Sequence, residues 1–463
     1  MAIPFYAKSE DNQGYIKNCE VIAFDDLDGG SIFQPQLWRT EDGKYYLYGT
    51  MGNAIGILDV TDASAPRFIK RFQTIDKEKY PHSSNPKCQV AEGLLITGMC
   101  SGGGPFIPGF PPRTPLPPEQ CKQGIHIYDI KEDPENPKFL AYWDCGVPNS
   151  NGVHRFMYNG GPYVHLSCET RGFEGLIYRC VDISDPTNPK EAGRWWMPHQ
   201  FADGFIGRHN FDPNASHIPE FMHTGWLHGA PFVRDGLAYC GYNGDGLVII
   251  NVEDVTRPYL VGNLPLVPPF ASHYGGASTH TALPLPGRDL CVVTNEGERY
   301  MWFVPNNDPN IQGKKIGNMA QALNNLHMVD VSDPSNPVLI AEFPYPEVPE
   351  NFPYKNYQQL GLGVNGTFGP HNIHEPMDHK PYLEQRGDRV YCCYFHAGLR
   401  VYDVSDEFVP KEIAYFIPPN PSRPTPQPGP NIATAEDLCV DDRGNIFMMT
   451  SNDGMYVVRM LEE

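Results

Sequence analysis

An Asp-centred phrase recurs six times along the 463-residue chain, and no other feature constrains the fold as strongly. Each copy ends a short apolar run and leads into a turn marked by proline, and in the fourth copy Asn251 replaces the first Asp. The copies lie at residues 57–66, 127–137, 181–189, 250–258, 329–337 and 401–410. Because a phrase that returns at long intervals is typical of repeat architectures, the chain is predicted to be a solenoid or a propeller.

Each copy is surrounded by short runs whose composition is typical of β-strands. In the fourth unit these runs are residues 236–242, 246–252 and 259–263, which are rich in β-branched and aromatic side chains. No long segment has the 3.6-residue period of an amphipathic helix. Four short antiparallel strands in each unit are typical of a β-propeller blade.

Counting the units predicts seven blades in one domain that spans residues 1–463. Six units carry the phrase, and the seventh ends the chain with three strands. Residues 19–24 resemble the outer strand at residues 338–343, so the N-terminal strand is expected to complete the last blade and close the ring. The predicted fold is therefore an all-β, seven-bladed β-propeller, with blades roughly at residues 33–75, 81–145, 152–197, 225–265, 279–345, 370–418 and 434–461 plus 19–25.

The phrase also resembles the repeat of the LVIVD-repeat β-propeller proteins. Its fullest copies, at residues 181–189 and 329–337, read Val-Asp-(Ile/Val)-Ser-Asp-Pro-x-Asn-Pro. The resemblance extends over most of the chain and implies the propeller fold. It implies no particular activity, because one fold serves many functions.

Composition excludes several classes of partner. The formal net charge of −20 argues against nucleic acid and against an anionic membrane surface. No apolar run reaches 18 residues, and the first ten residues lack the basic and apolar parts of a signal peptide. The twelve cysteines are scattered without a Cys-x-x-Cys pair, as is typical of reduced thiols. We therefore expect a cytoplasmic protein with a small-molecule substrate, and its oligomeric state is left open.

The long segments between strands are expected to lie on one face of the ring. Successive phrases are separated by 53 residues, from Asp129 to Asp182, up to 79 residues, from Asn251 to Asp330. A blade without long loops needs only about 40–45 residues. The additional residues fall at 101–124, 196–223, 264–279, 297–324, 344–370 and 417–433, all on the side opposite the Asp turns. Function is expected on that loop-rich face.

Histidines occupy the start of the innermost strand in four consecutive blades, which places them around the propeller axis. They are His154, His228, His280 and the pair His371 and His374, and which member of the pair faces the axis is left open. Neutral imidazole is the commonest protein ligand for Fe, Cu, Mn and Zn, so one such transition metal ion is predicted there. His82 is a possible fifth member. The alternative is that each histidine only bonds nearby backbone.

Further polar residues on the same face are candidates for catalysis. Glu169, Glu296 and His396 lie in turns between second and third strands, where such residues are poor turn formers. Glu436 or Asp437 takes the blade 7 position that corresponds to the histidines, and Glu436 is the candidate. Carboxylates that orient ligand imidazoles are expected near a metal. The alternative for Glu169, Glu296 and His396 is ordinary turn structure.

Two neighbouring features stay open between function and packing. Arg155 and Arg208 are suited to bind an anion, or to form salt bridges within the protein. The aromatic-rich insertion at residues 200–228, with His209, His217 and His223, is either a lid or a packed loop.

Together these patterns favour a metal-dependent enzyme, first of all an oxidoreductase or oxygenase acting on a small apolar or aromatic substrate. A lyase or hydrolase that uses the same metal is the first alternative. A non-enzymatic propeller that binds a protein or peptide on its loop-rich face is the second. No phosphate-binding glycine loop in a strand–helix context and no Gly-x-Ser-x-Gly motif points to another chemistry.

Overall fold

The computed structural model describes residues 14–101, 117–147, 152–173, 175–201, 226–266, 279–296, 325–350, 352, 368–421, 433–451 and 453–461. Within these ranges the chain forms 29 β-strands and no α-helix. Short 3-10 turns occur at Leu27–Gly29, Pro118–Gln120 and Pro198–Gln200. The strands form seven separate antiparallel sheets, so the predicted all-β, seven-bladed propeller is confirmed. None of the described helical turns is long and apolar enough to cross a membrane.

Blades 1 to 4 each follow the chain from the innermost strand outward. Blade 1 consists of β3 (Phe33–Arg39), β4 (Tyr45–Met51), β5 (Ala54–Asp59) and β6 (Arg67–Gln73). Blade 2 consists of β7 (Ser83–Ala91), β8 (Leu94–Ser101), β9 (Gly124–Asp129) and β10 (Lys138–Asp144). Blade 3 consists of β11 (Val153–Met157), β12 (Tyr163–Glu169), β13 (Leu176–Asp182) and β14 (Lys190–Trp195). Blade 4 has an interrupted inner strand and consists of β15 (Trp226–Leu227), β16 (Phe232–Arg234), β17 (Leu237–Asn243), β18 (Gly246–Asn251) and β19 (Tyr259–Leu264).

Blade 5 keeps this plan, and blades 6 and 7 depart from it. Blade 5 is regular, with β20 (Thr279–Pro284), β21 (Leu290–Asn295), β22 (Leu326–Asp330) and β23 (Val338–Glu342). Blade 6 contains β24 (Arg389–Cys393), β25 (Leu399–Asp403) and β26 (Lys411–Ile417), and its inner segment joins β24 through the bridge between Ile373 and Cys392. Blade 7 contains β27 (Ala435–Val440), β28 (Asn445–Thr450) and β29 (Gly454–Met460).

The N-terminal segment adds an outer strand to two neighbouring blades. β1 (Tyr15–Lys17) pairs with β26 of blade 6, and β2 (Cys19–Asp25) pairs with β29 of blade 7. Cys19 Sγ also donates to the carbonyl of Tyr415 at 3.2 Å, which joins β2 to blade 6. Residues from the start of the chain therefore cover the outer edges of the two blades that end it.

The repeated Asp residues shape turns at the outer side of the ring. Asp185 Oδ1 accepts hydrogen bonds from the backbone N–H of Thr187 at 3.0 Å and from its hydroxyl at 2.6 Å. Asp62, Asp254 and Asp333 form the same pair of bonds two residues ahead. An aspartate that satisfies the backbone of its own turn is a structural residue. These carboxylates therefore do not form the candidate site.

Apolar side chains fill the spaces between neighbouring blades. One cluster joins Tyr48 and Ile57 of blade 1 to Val90 and Leu95 of blade 2, and similar clusters join the blades around the ring. Each blade thus buries both of its faces against neighbours. The polar residues that the next section describes lie on the inner strands around the axis and in segments next to them, such as the one with Glu296 after β21.

Candidate metal centre

The innermost strands share a β-bulge, and the bulge falls on the residues of the candidate site. In β11, β20 and β27 the register shifts by one residue at His154, His280 and Glu436. In blade 4 the N–H groups of His228 and Gly229 both donate to the carbonyl of Gly241, at 2.9 and 3.3 Å. A bulge turns one extra side chain away from the normal alternation of the strand. The sequence therefore presents an imidazole or a carboxylate at the same point of successive blades.

Four of the predicted histidines lie side by side in blade order. The ring centroids of His154 and His228 are 5.3 Å apart, those of His228 and His280 4.6 Å, and those of His280 and His371 5.0 Å. His228, His280 and His371 are buried, whereas His154 is partly exposed. The prediction that inner-strand starts bring these imidazoles together agrees with the structure. Whether they bind a metal stays a prediction.

The carboxylate of Glu296 lies between two of these imidazoles. Its Oε2 is 3.5 Å from His228 Nε2, and its Oε1 is 3.4 Å from His371 Nε2. His228, His280 and Glu296 each offer a ligand atom, and the three atoms lie within 4.8 Å of one another. Both nitrogen–oxygen distances are longer than the 2.7–3.2 Å of a good N–H···O bond. These two contacts therefore bring the groups close together at more than the length of an ordinary hydrogen bond.

The hydrogen bonds of His371 indicate its tautomer, and thus whether the nitrogen that faces Glu296 carries a proton or a lone pair. Nδ1 lies 2.8 Å from the backbone carbonyl of Glu436 and 3.3 Å from its carboxylate. A carbonyl oxygen only accepts, so the proton of the neutral imidazole lies on Nδ1. The lone pair of Nε2 then points toward a carboxylate oxygen of Glu296. Two acceptors that face each other repel unless a proton or a cation lies between them.

His280 lies at the centre of the cluster and, unlike His371, faces a guanidinium donor. The hydroxyl of Thr281 lies 2.7 Å from Nδ1, and Arg155 Nη1 lies 3.2 Å from Nδ1 and 3.0 Å from Nε2. Burial, and after it the charge of Arg155, hold the pKa of His280 well below its usual value. Gly229 and Gly241 leave room for its backbone, since a Cβ at either would lie 1.9 or 2.5 Å from the carbonyl of His280.

The structure corrects the inclusion of His374 among the ligands. Its Nε2 lies 2.9 Å from the carbonyl of Glu384, and its Nδ1 accepts from the N–H of Val440 at 3.2 Å. With both nitrogens bonded to backbone, His374 has no lone pair to offer a metal. His82 is exposed, and the inner strand of its blade presents Lys87 and Gln89 instead. His371 is therefore the histidine of blade 6 that faces the cluster.

The remaining predicted residues are placed as follows. Glu436 contacts His371 and accepts a hydrogen bond from the hydroxyl of Ser451. Burial acts to raise the pKa of Glu436, but His371, Ser451 and the charge of Lys87 together lower it below its usual value. Glu169 ends β12 and is partly buried, and His396 is buried in the turn between β24 and β25. The catalytic roles of Glu169, Glu296, His396 and Glu436 stay predictions.

Other predictions fall outside the described residues. These include most of the loop-rich face and the insertion with Arg208, His209, His217 and His223.

A second layer of charged residues lies next to the cluster along the axis. It comprises Lys87 of β7, Arg155 of β11, Asp437 of β27 and Glu375 of the blade 6 inner segment, with Arg155 Nη2 3.9 Å from Glu375 Oε1. Burial, and after it the charge of Arg155, lower the pKa of Lys87 to about 7. Burial raises the pKa of Asp437 to about 6. Lys87 Nζ lies 3.2 Å from the centre of the Phe33 ring.

A buried lysine crosses the axis. Lys380 comes from the segment before β24, and its Nζ donates to Gln36 of blade 1 at 3.1 Å and to Gln89 of blade 2 at 2.9 Å. Burial lowers the pKa of Lys380 to about 8. The sequence analysis missed Lys87, Gln89 and Lys380. The detectable signal was the alternation of Lys87 and Gln89 with Cys88 and Val90, which places two polar side chains on one face of β7.

Comparison with known proteins supports the LVIVD repeat but no particular function. The LVIVD repeat model matches residues 178–196 and 319–343. No curated protein matches the chain. Among solved structures, Sqt1 of Saccharomyces cerevisiae has a TM-score of 0.49 at 9% identity, with 97% of this chain and 100% of that chain covered.

Two enzymes are similar to the same degree. An inactive virginiamycin B lyase of Staphylococcus aureus and a periplasmic gluconolactonase of Pseudomonas aeruginosa each have a TM-score of 0.49 at 10% identity, with 96% of this chain and 99% of the other covered. With TM-scores below 0.5, no inference about function is drawn from these similarities. The repeat matches and the seven sheets together show that the chain is a β-propeller with LVIVD repeats.

Proposed function

We propose that the chain is a metal-dependent enzyme whose active site is the His–Glu cluster on the propeller axis. The proposed ligands are His228, His280 and Glu296, with His371 as a fourth donor. The position of Glu296 carries the proposal, because its two oxygens face Nε2 of His228 and of His371 at 3.5 and 3.4 Å. A carboxylate held between two imidazole nitrogens at these distances is suited to share a cation with them.

The donor set and its spacing fit one transition metal ion. Metal–nitrogen and metal–oxygen bonds of about 2.0–2.2 Å separate neighbouring ligand atoms by roughly 3–4 Å. The three ligand atoms lie within 4.8 Å of one another, so small side-chain movements would bring them to that spacing. Two histidines and one carboxylate are the ligands of non-haem Fe(II) oxygenases, and the same set also holds catalytic Zn.

The surrounding residues would fix the ligands in the required state. Glu436 holds the proton of His371 on Nδ1. At His280 the hydroxyl of Thr281 contacts Nδ1, and Arg155 Nη1, which donates toward Nε2 at 3.0 Å, would have to yield that nitrogen to a bound metal. Partners such as Glu436 orient ligand imidazoles and raise their affinity for the metal. A bound ion with open positions would supply either redox chemistry or polarisation of a substrate oxygen.

The leading reaction class is oxidation of a small apolar or aromatic substrate. Phe395 stacks on His371 with ring centroids 4.7 Å apart, and Phe33 lies 5.8 Å from the same ring. An apolar surface beside a metal favours substrates with an apolar body. One observation favours a lyase as the second candidate. Lys87 has a pKa of about 7 and is buried near the cluster, which suits a general base that removes a proton from a substrate.

Metal analysis of the purified protein tests the proposal. We expect close to one equivalent of a transition metal after expression in medium supplied with Fe, Mn, Cu and Zn. His228→Ala and His280→Ala should each lose it, whereas the control variant His82→Ala should keep it, because His82 is exposed outside the cluster. Substoichiometric content of every transition metal would overturn the enzyme proposal in favour of a binding propeller. Full metal content in both cluster variants would show that the ligands are wrongly assigned.

Oxygen consumption then separates the two reaction classes. A metal-loaded oxidase or oxygenase consumes O₂ in proportion to substrate, whereas a lyase turns over equally well without O₂.

A further inference from the structure

The charged residues next to the cluster are buried without matching partners. Arg155 has an exposed fraction of 1%, yet its Nε and Nη2 have no hydrogen-bond partner among the described residues. Its nearest carboxylate, that of Glu375, lies 3.9 Å away, beyond hydrogen-bond distance. Buried guanidinium groups are normally paired through several of their five donors. The unused donors of Arg155 therefore indicate a missing acceptor.

Lys87, on the neighbouring blade, is also a buried cation. Its side chain is buried, and its described contact is the face of the Phe33 ring. Arg155 lowers the pKa of Lys87 and so lies close enough to repel it. Two buried cations in one region are unfavourable unless acids balance them, and the acids that act on Lys87 are Asp437, Glu436 and Glu296.

The nearest acid does not fill this role. Asp437 interacts electrostatically with both Arg155 and Lys87, but its Oδ2 has no hydrogen-bond partner in the described part of the chain. Arg155 Nε and Nη2 and Asp437 Oδ2 therefore have hydrogen-bonding capacity that no residue in the described part of the chain uses. Arg155, Lys87 and Asp437 surround one space from the inner strands of blades 3, 2 and 7, which carry no proposed metal ligand, and Phe33 of blade 1 forms an apolar wall.

The balance of charge favours one negative charge in the occupant. Of the charged residues around the axis, the acids are Glu296, Glu375, Glu436 and Asp437 and the bases are Lys87, Arg155 and Lys380, so four negative charges meet three positive ones. A divalent metal at the cluster would change the sum from −1 to +1. A singly charged anion would then bring it to zero, whereas a phosphate dianion would leave a buried excess, which is costly.

We propose that this space binds the carboxylate of a small monocarboxylic acid with an apolar body, and that such acids are the substrate class. Arg155 and Lys87 hold the carboxylate, since a planar guanidinium matches its two oxygens. The apolar body lies against Phe33 and Phe395, toward the metal cluster. The assignment of these acids as substrates and the balance of charge both rest on the proposed function, whereas the contacts to the carboxylate come from Arg155 and Lys87 themselves.

Calorimetric titration of the full-length protein with phenylacetate tests the site, with phenylacetamide as the neutral probe of nearly the same shape. We expect one equivalent of phenylacetate to bind, and the amide to bind at least about tenfold more weakly because it lacks the charge. Inorganic phosphate should not compete. Equal affinity for acid and amide, or stronger binding of phosphate, would overturn the proposal without any need for a variant.

A pair of lysine variants locates the binding site. Lys87→Met should weaken phenylacetate binding at least about tenfold. Lys122→Met is the matched control, since Lys122 also lies over aromatic rings of blade 2, those of Tyr80 and Tyr142 at 5.3 and 4.6 Å. Melting curves check that both variants fold. Unchanged affinity in a folded Lys87→Met protein would contradict the proposal.

Parallel metal analysis separates this inference from the proposed function. Metal binding without phenylacetate binding would overturn the acid site alone. Phenylacetate binding that depends on Lys87 in a protein that retains no metal would support the acid site and overturn the metal centre. If both bind, the metal-loaded protein should bind the acid more tightly, since coupling between the two sites is reciprocal.

Discussion

At the scale of single residues, the direction of hydrogen bonds separates histidines that the sequence presents as equivalent. His371 and His374 lie three residues apart in the inner segment of blade 6, and both are buried. Nδ1 of His371 is hydrogen-bonded to the carbonyl of Glu436, and its Nε2 faces Glu296. Both nitrogens of His374 are hydrogen-bonded to backbone groups. One is therefore a candidate ligand and the other a structural residue.

Alanine substitution should separate these two roles. His371→Ala is expected to lower metal affinity at least about tenfold, because it removes a donor and the residue that Glu436 orients. His374→Ala should keep the metal but lose about 1–3 kcal/mol of stability, since it leaves a buried carbonyl and a buried N–H unpaired. Metal content and urea denaturation measure the two effects. Metal loss in His374→Ala with an intact His371→Ala site would reverse the assignment.

At the scale of elements, the repeated bulge of the inner strands positions the side chains of the candidate site. It follows the first paired residue of β3, β11, β20 and β27 and the second paired residue of β7, close to the loop-rich end of each strand. In blade 4 the bulge comes at Gly229, where the backbone passes close to the carbonyl of His280. Local backbone geometry and not only side-chain identity should therefore control metal affinity.

Two glycine substitutions test this dependence. A Cβ at Gly229 would lie 1.9 Å from the carbonyl of His280, and a Cβ at Gly193 would lie 1.9 Å from the carbonyl of Val255, in the outer part of the ring. Both Gly229→Ala and Gly193→Ala should lower the melting temperature, but only Gly229→Ala should also weaken metal binding. If both variants bind metal equally well, the bulge does not position the site.

The same elements explain how far the sequence could predict the structure. The Asp phrases give the number of blades and the register of the strands, and from that register four imidazoles could be assigned to the axis. The alternation of Lys87 and Gln89 with Cys88 and Val90 places two polar side chains on one face of β7, but the bulge before Lys87 hides from the sequence that this face turns to the axis. Lys380 was not predictable either, because it crosses the axis from an irregular segment, and contacts between blades 6, 1 and 2 leave no local pattern.

At the scale of the whole molecule, buried neutral histidines outside the cluster link stability to pH. Burial lowers the pKa of His126 to about 3 and those of His165 and His374 to about 4. The unfolded chain, with pKa values near 6.5, binds more protons than the folded one between these limits. Their contribution to stability is complete above about pH 6.5 and is lost as the pH falls toward 4.

Urea denaturation between pH 7 and pH 5 should therefore show the free energy of unfolding decreasing as the pH is lowered. Each imidazole contributes up to about 1.4 kcal/mol per pH unit within this window. His165→Gln, which can keep the bond to the hydroxyl of Tyr178, should reduce the slope by one proton. A stability that stays constant from pH 7 to pH 5, or a slope that His165→Gln leaves unchanged, would contradict this account.

The central claim is that Glu296 and the imidazoles around it form one metal site, and Co(II) titration of the metal-free protein tests it most directly. We expect one equivalent to bind, with visible absorption bands of a protein-bound ion. Glu296→Gln should weaken binding at least about tenfold, because it replaces the anionic ligand with a neutral group of the same shape. The exposed Glu253→Gln control should bind like the natural protein. Binding that is absent in the natural protein, or unchanged in Glu296→Gln, would contradict the claim.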